Sequence, residues 1–129
     1  MWRYSSMINN VLDYFGETLM ESVRDRTISN WDKILDGKMK GFSAQQVREK
    51  IEGFSEEQKE ILKWMIPKIV DVGLHNFLAM VEECKNINVE VVSNGESGNI
   101  RELSDGLAGE LYTEDGWISK FSKERYEEI

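Results

Sequence analysis

From Ser6 to Arg26 the apolar positions fall at helical spacing. Met7, Ile8, Val11, Leu12, Phe15, Leu19, Met20 and Val23 recur every three or four residues. Asn9, Asn10, Asp13, Glu17, Glu21 and Arg24 fill the other face. The pattern predicts an amphipathic helix. Gly16 lies inside it, costs about 1 kcal/mol relative to alanine, and suits the close approach of a neighbouring helix. Trp2 and Tyr4 precede it as packing aromatics. A shorter helix is predicted over Ser29–Leu35, capped by Ser29 or Thr27 and closed by Gly37 at the left-handed C′ position. Trp31, Ile34 and Leu35 form its apolar side.

Two phrases then repeat, Phe42-Ser43 with Gln46 and Phe54-Ser55 with Gln58. Each is a capping-box pattern, in which the serine accepts from an amide three residues on and the glutamine reaches back. They predict helices over Ser43–Glu52 and Ser55–Cys84. The second is the longest periodic run and holds the chain's one proline, one histidine and one cysteine. Ile61, Leu62, Met65, Ile66, Ile69 and Val72 gather on one of its faces. Leu74, Phe77, Met80, Val81 and Cys84 gather on a face rotated by roughly a right angle. Pro67 removes the bond to the Lys63 carbonyl, so a kink is expected there. Both faces are assigned to the core, each against different neighbours.

After Asn86 the period becomes two. Ile87, Val89 and Val91 alternate with Asn88, Glu90 and Val92, which predicts a strand. Residues 93–99 read as a loop by composition. A lone strand needs a partner: Asn99–Leu103 returning as a short strand, a second copy of the chain, or no sheet at all. Ile100, Leu103, Leu107 and Leu111 predict a further helix over Ile100–Tyr112, weakened by Gly106 and Gly109. Trp117, Ile118 and Phe121 form a last apolar patch, and Ser122–Ile129 reads as a charged, fraying tail. The fold class is therefore mainly α: one domain, residues 1–129, a bundle of about five helices around a kinked central helix. At most one short strand or hairpin falls near 87–103.

Composition narrows the function. Sixteen Lys and Arg against twenty-four Asp and Glu give a net charge of −8. Nucleic acid is disfavoured, because duplex affinity comes from cations on phosphates, and a basic protein partner is compatible. One cysteine forms no internal disulfide, and no Cys/His cluster suggests structural zinc. The N-terminal MWRYSSMINN is not a secretory signal. No run of about 18 apolar residues predicts a membrane span. A cytoplasmic location is expected.

The chemistry on offer is sparse. No phosphate loop follows a strand, and no cofactor motif occurs. His75 and Cys84 lie nine residues apart, about 13 Å along a continuous helix, too far for a catalytic pair. Asp71 and His75 share a helix face at four-residue spacing, with Glu60, Trp64 and Glu82 close to the same stripe. Asp71, His75 and Glu82 in line suggest a zinc or iron site or a proton relay. The alternative is a solvated polar side, with Trp64 packed under Leu111–Phe121. In size, charge and helix content the chain looks like small immunity and antitoxin-type proteins.

Three functions are carried forward. The first is a non-enzymatic protein-binding module, an immunity- or inhibitor-like partner of a basic protein, contacting through Glu57, Glu60, Trp64, Asp71, His75 and Glu82. The second is a small metal-binding protein or enzyme using Asp71, His75 and Glu82. The third is a homodimer paired through Ile87–Val92.

Overall fold

The computed structural model describes residues 2–127, with side chains from 11 to 127. The packing expected of Trp2, Tyr4, Met7 and Ile8 and the roles of Glu128 and Ile129 fall outside these. The fold is mainly α with one small antiparallel hairpin.

The first two predicted helices are one. α1 (Trp2–Leu19) runs into a π-helical turn (Met20–Asp25) and then α2 (Arg26–Leu35) without a break. Leu19, Asp25 and Arg26 all keep right-handed helical backbone. Neither Thr27 nor Ser29 opens a helix, because nothing between Arg26 and Ser29 disfavours continuation and Ile28 is fully buried there. The wider turn shifts the helix phase. Arg24, assigned to the polar face, turns inward, and Val23, assigned to the core, is left exposed. Gly37 closes α2 as expected, with φ 71° and the paired bonds Lys38 N–H to Lys33 O and Gly37 N–H to Ile34 O.

α3 (Phe42–Lys50) starts one residue early, on Gly41 at φ 117°, and the Ser43–Gln46 capping box does not form. The second capping box does: Gln58 N–H donates to Ser55 Oγ at 3.2 Å and Ser55 N–H to Gln58 Oε1 at 2.8 Å. It opens α4 (Glu56–Glu83), which runs through the buried Pro67.

Two apolar clusters divide α4. Ile66 packs with Ile28, Leu35 and Ile51. Leu74, Leu78 and Val81 pack with Leu12, Leu19 and Met20 of the first helix and with Ile100, Leu107, Leu111, Trp117 and Ile118. Val70 touches both clusters. Gly16 serves the close approach expected of it, since a Cβ there would overlap the buried Trp117 indole. The partner is a short C-terminal helix.

Of the predicted core face, Ile66 is buried and Leu62 packs partly buried against its cluster, but Ile61, Met65, Ile69 and Val72 are not core. All four are exposed, Ile69 by 62%. No described element covers that side of α4.

β1 (Glu90–Ser93) pairs with β2 (Glu96–Asn99), Glu90 opposite Asn99 and Ser93 opposite Glu96. The connection is Asn94-Gly95 at φ 53° and 81°, the two-residue turn that matches strand twist. The returning strand thus lies inside the predicted loop, and the pairing is made within the chain. α5 (Ile100–Leu103) is a single turn, opened by Asn99 Oδ1 accepting from Arg101 N–H. The longer predicted helix stops there because Ser104 Oγ takes the Gly106 amide and donates to Glu110. A 3₁₀ turn (Ala108–Leu111) and α6 (Trp117–Phe121) complete the second cluster.

Candidate functional site

The polar stripe of α4 does not stay together as a site. Asp71 takes Arg24, with Nε to Oδ1 at 2.6 Å and Nη2 to Oδ2 at 3.1 Å. Arg24 is 0% exposed, so its charge requires this carboxylate. His75 Nδ1 lies 2.9 Å from the Tyr112 hydroxyl. Glu82 Oε1 accepts the Leu107 amide at 2.6 Å, ahead of the 3₁₀ turn. Asp71 therefore anchors the first long helix, and Glu82 and His75 hold the two ends of the 3₁₀ turn at Leu107 and Tyr112. Among the described residues, no group of three His, Cys, Asp or Glu side chains could hold a metal ion. The metal and relay reading of Asp71, His75 and Glu82 lacks its geometry.

The tail joins this arrangement. Arg24 Nη1 donates to Ser122 Oγ at 2.7 Å and Nη2 to the Arg125 carbonyl at 2.9 Å. Asp25 accepts the Ser122 hydroxyl at 2.5 Å and the Lys123 amide at 2.9 Å. The Tyr126 ring lies under the Arg24 guanidinium, 5.7 Å from its centroid. Arg125 forks onto Asp32 with two bonds of 2.8 Å. Its hydrogen bonds to Asp32 hold the guanidinium pKa above its ordinary value. Residues 122–127, expected to fray, are a strap tied to both long helices.

Trp64 lies partly under this strap and not under Leu111–Phe121. Its Nε1 reaches Glu127 Oε2 at 3.3 Å, and Lys68 Nζ sits 4.9 Å from the indole centroid. The residue remains 53% exposed, and Glu57 and Glu60 face solvent nearby along the helix. Of the six stripe residues, Glu57, Glu60, Trp64 and Glu82 are exposed, Glu82 while holding the Leu107 amide, and Asp71 and His75 are half-buried.

α4 turns its other open side to a groove that the sequence reading missed. Val23, Thr27 and Trp31 form one wall, Met65 and Ile69 the other, and Leu62, Ile66 and Val70 line it between them. Its volume is about 580 Å³, and Thr27 is its one polar lining residue. Outside it, Ile61 and Val72 prolong the exposed apolar ridge, at 57% and 56% exposure. Farther along α4, Phe77 and Met80 of the rotated face, expected in the core with Leu74 and Val81, are instead exposed. The signal available in the sequence was that α4 is apolar over more of its circumference than two neighbouring elements can cover. No helix of the described residues is long and apolar enough to cross a membrane.

The chain matches no protein-family model, no curated protein and no solved structure.

Proposed function

We propose that this chain is a non-enzymatic protein-binding domain whose contact surface is the exposed apolar side of α4 and the groove beside it. The observation that carries the reading is that Ile61, Met65, Ile69 and Val72, four large apolar side chains in sequence on one ridge, stand in water. Contiguous apolar patches of this kind mark interaction sites. Engagement of Asp71, His75 and Glu82 with Arg24, Tyr112 and Leu107 supports a non-catalytic role for that stripe.

A second surface favours a basic partner, as an immunity or inhibitor protein would bind. Glu57 and Glu60 are exposed along α4 from the open Trp64 indole, and aromatic anchors are enriched at interfaces. A net charge of −8 suits such a partner. The half-buried single cysteine, Cys84, suits a reducing, cytoplasmic setting.

The test is a photoreactive phenylalanine analogue placed at position 69 in the native cell. Protein adducts are expected there and not from the same group at exposed Glu102. Equal yields at the two positions, or none at 69, would overturn the apolar contact surface.

A further inference from the structure

We infer that the apolar side of α4 is covered by a second copy of this chain, the ridge of each copy seated in the groove of the other. The inference rests on the protein-binding reading above and names its partner. Ridge and groove lie side by side on one surface. Ile61, Met65, Ile69 and Val72 stand up along α4, and Val23 and Trp31 form the far wall of the recess that Met65 and Ile69 border. Helices pack by setting ridges into grooves. A surface that carries both, adjacent and parallel, complements itself under a two-fold rotation.

Charge permits the same partner. The groove lining holds no charged side chain. Two copies of net charge −8 can therefore meet there with no carboxylate in the groove lining, and the repulsion between their other charges is screened within about 8 Å at physiological salt.

Area is compatible as well. At on the order of 100 Å² of open surface per side chain, Val23, Trp31, Ile61, Met65, Ile69 and Val72 supply about 600 Å² of the ~800 Å² per partner of a standard stable interface, whose remainder is polar rim. A small apolar ligand fits less well. Such sites orient their ligand through placed polar groups, whereas Thr27 is the one polar residue lining this groove. A ligand filling the groove would also leave Ile61 and Val72 wet.

Sedimentation velocity on the full chain, over a micromolar concentration series, tests the proposal. The wild type is expected at twice the chain mass. Ile69→Glu and Val72→Glu, both at open positions, are expected to keep the wild-type far-ultraviolet melt at high dilution. They are also expected to weaken self-association at least about 100-fold, because each would bury a carboxylate at the contact. Sedimentation of the wild type at single-chain mass throughout would overturn the second copy, as would variants that dimerise like wild type. A single chain carrying an apolar small molecule in native mass spectrometry would do the same. A wild-type monomer that still cross-links another protein from position 69 ends self-association and leaves protein binding standing. A monomer with no adduct ends both.

Discussion

Arg125 donates Nη2 to the carbonyl of Lys63 at 2.9 Å. That carbonyl is open because Pro67, four residues on, has no amide to give it. The tail thus satisfies a defect in the central helix that the helix itself cannot repair. A proline inside a long helix and an arginine in a charged C-terminus are one structural unit.

Arg125→Ala removes the Lys63 bond and the Asp32 fork together. Since Arg125 is an exposed residue, the expected loss is about 1 kcal/mol, most of it from the unsatisfied carbonyl. Arg125→Lys should recover little, because an ammonium cannot reproduce the fork. Urea midpoints check both. An unchanged midpoint for Arg125→Ala would mean that the strap contributes nothing to the fold.

Arg24 and Asp71 should behave as a unit. Asp71→Leu leaves a buried guanidinium without its counter-ion and should cost roughly 3–5 kcal/mol, a large share of the ~5–15 kcal/mol typical of a domain. The double variant Arg24→Met, Asp71→Leu should lose clearly less than the two single losses added together. A double-mutant cycle by chemical denaturation reads this directly, and strict additivity would contradict the pairing.

Met65→Asp should leave the monomer folded, within about 1 kcal/mol of wild type, because Met65 faces solvent. Leu78→Asp, at a fully buried position, should abolish the cooperative transition. Melts recorded at high dilution separate the two. Equal damage from both would place Met65 back in the core.

Lys63 and Asp36 form an exposed pair at 2.7 Å. The hydrogen bond from Lys63 holds the Asp36 carboxyl below its ordinary value, and the bond to Asp36 holds Lys63 above its own. The lowered carboxyl contributes above its unfolded value and loses that contribution as pH falls through the folded one. The raised ammonium contributes below its unfolded value and loses that as pH rises through the folded one. The pair's contribution should be flat between about pH 5 and 9 and fade outside that window. The gap in urea midpoint between wild type and Asp36→Asn should be small at about pH 7 and shrink further by about pH 3. A gap that widens on acidification would contradict the assignment.

The local signals were the legible ones. The Ser55–Gln58 capping box, the left-handed Gly37 and the close approach at Gly16 each depend on a few neighbouring residues or on a missing Cβ, and each could be read in one dimension. Asn94-Gly95 was equally readable as a hairpin turn, but the glycine-rich composition around it suggested a loop. What periodicity could not carry was phase. The π-helical turn rotates Arg24 inward onto partners far along the chain, Asp71 at 47 residues and Ser122 at 98. Once Arg24 is inside, Asp71 must face it, and the acidic stripe ceases to be one surface. Periodicity also shows which face of α4 is apolar without showing how much of it the rest of the chain covers. Ile61, Met65, Ile69 and Val72 look like core by pattern and lie in solvent because no described element packs on that side.

The most direct test of what covers that face is an isotope-filtered NOE experiment on a one-to-one mixture of labelled and unlabelled chain. The methyl groups of Met65, Ile69 and Val72 should show contacts to protons of the other copy, with Val23 and Trp31 among the recipients. Filtered spectra in which these methyls see only their own chain, at concentrations where the complex should be saturated, would contradict the account.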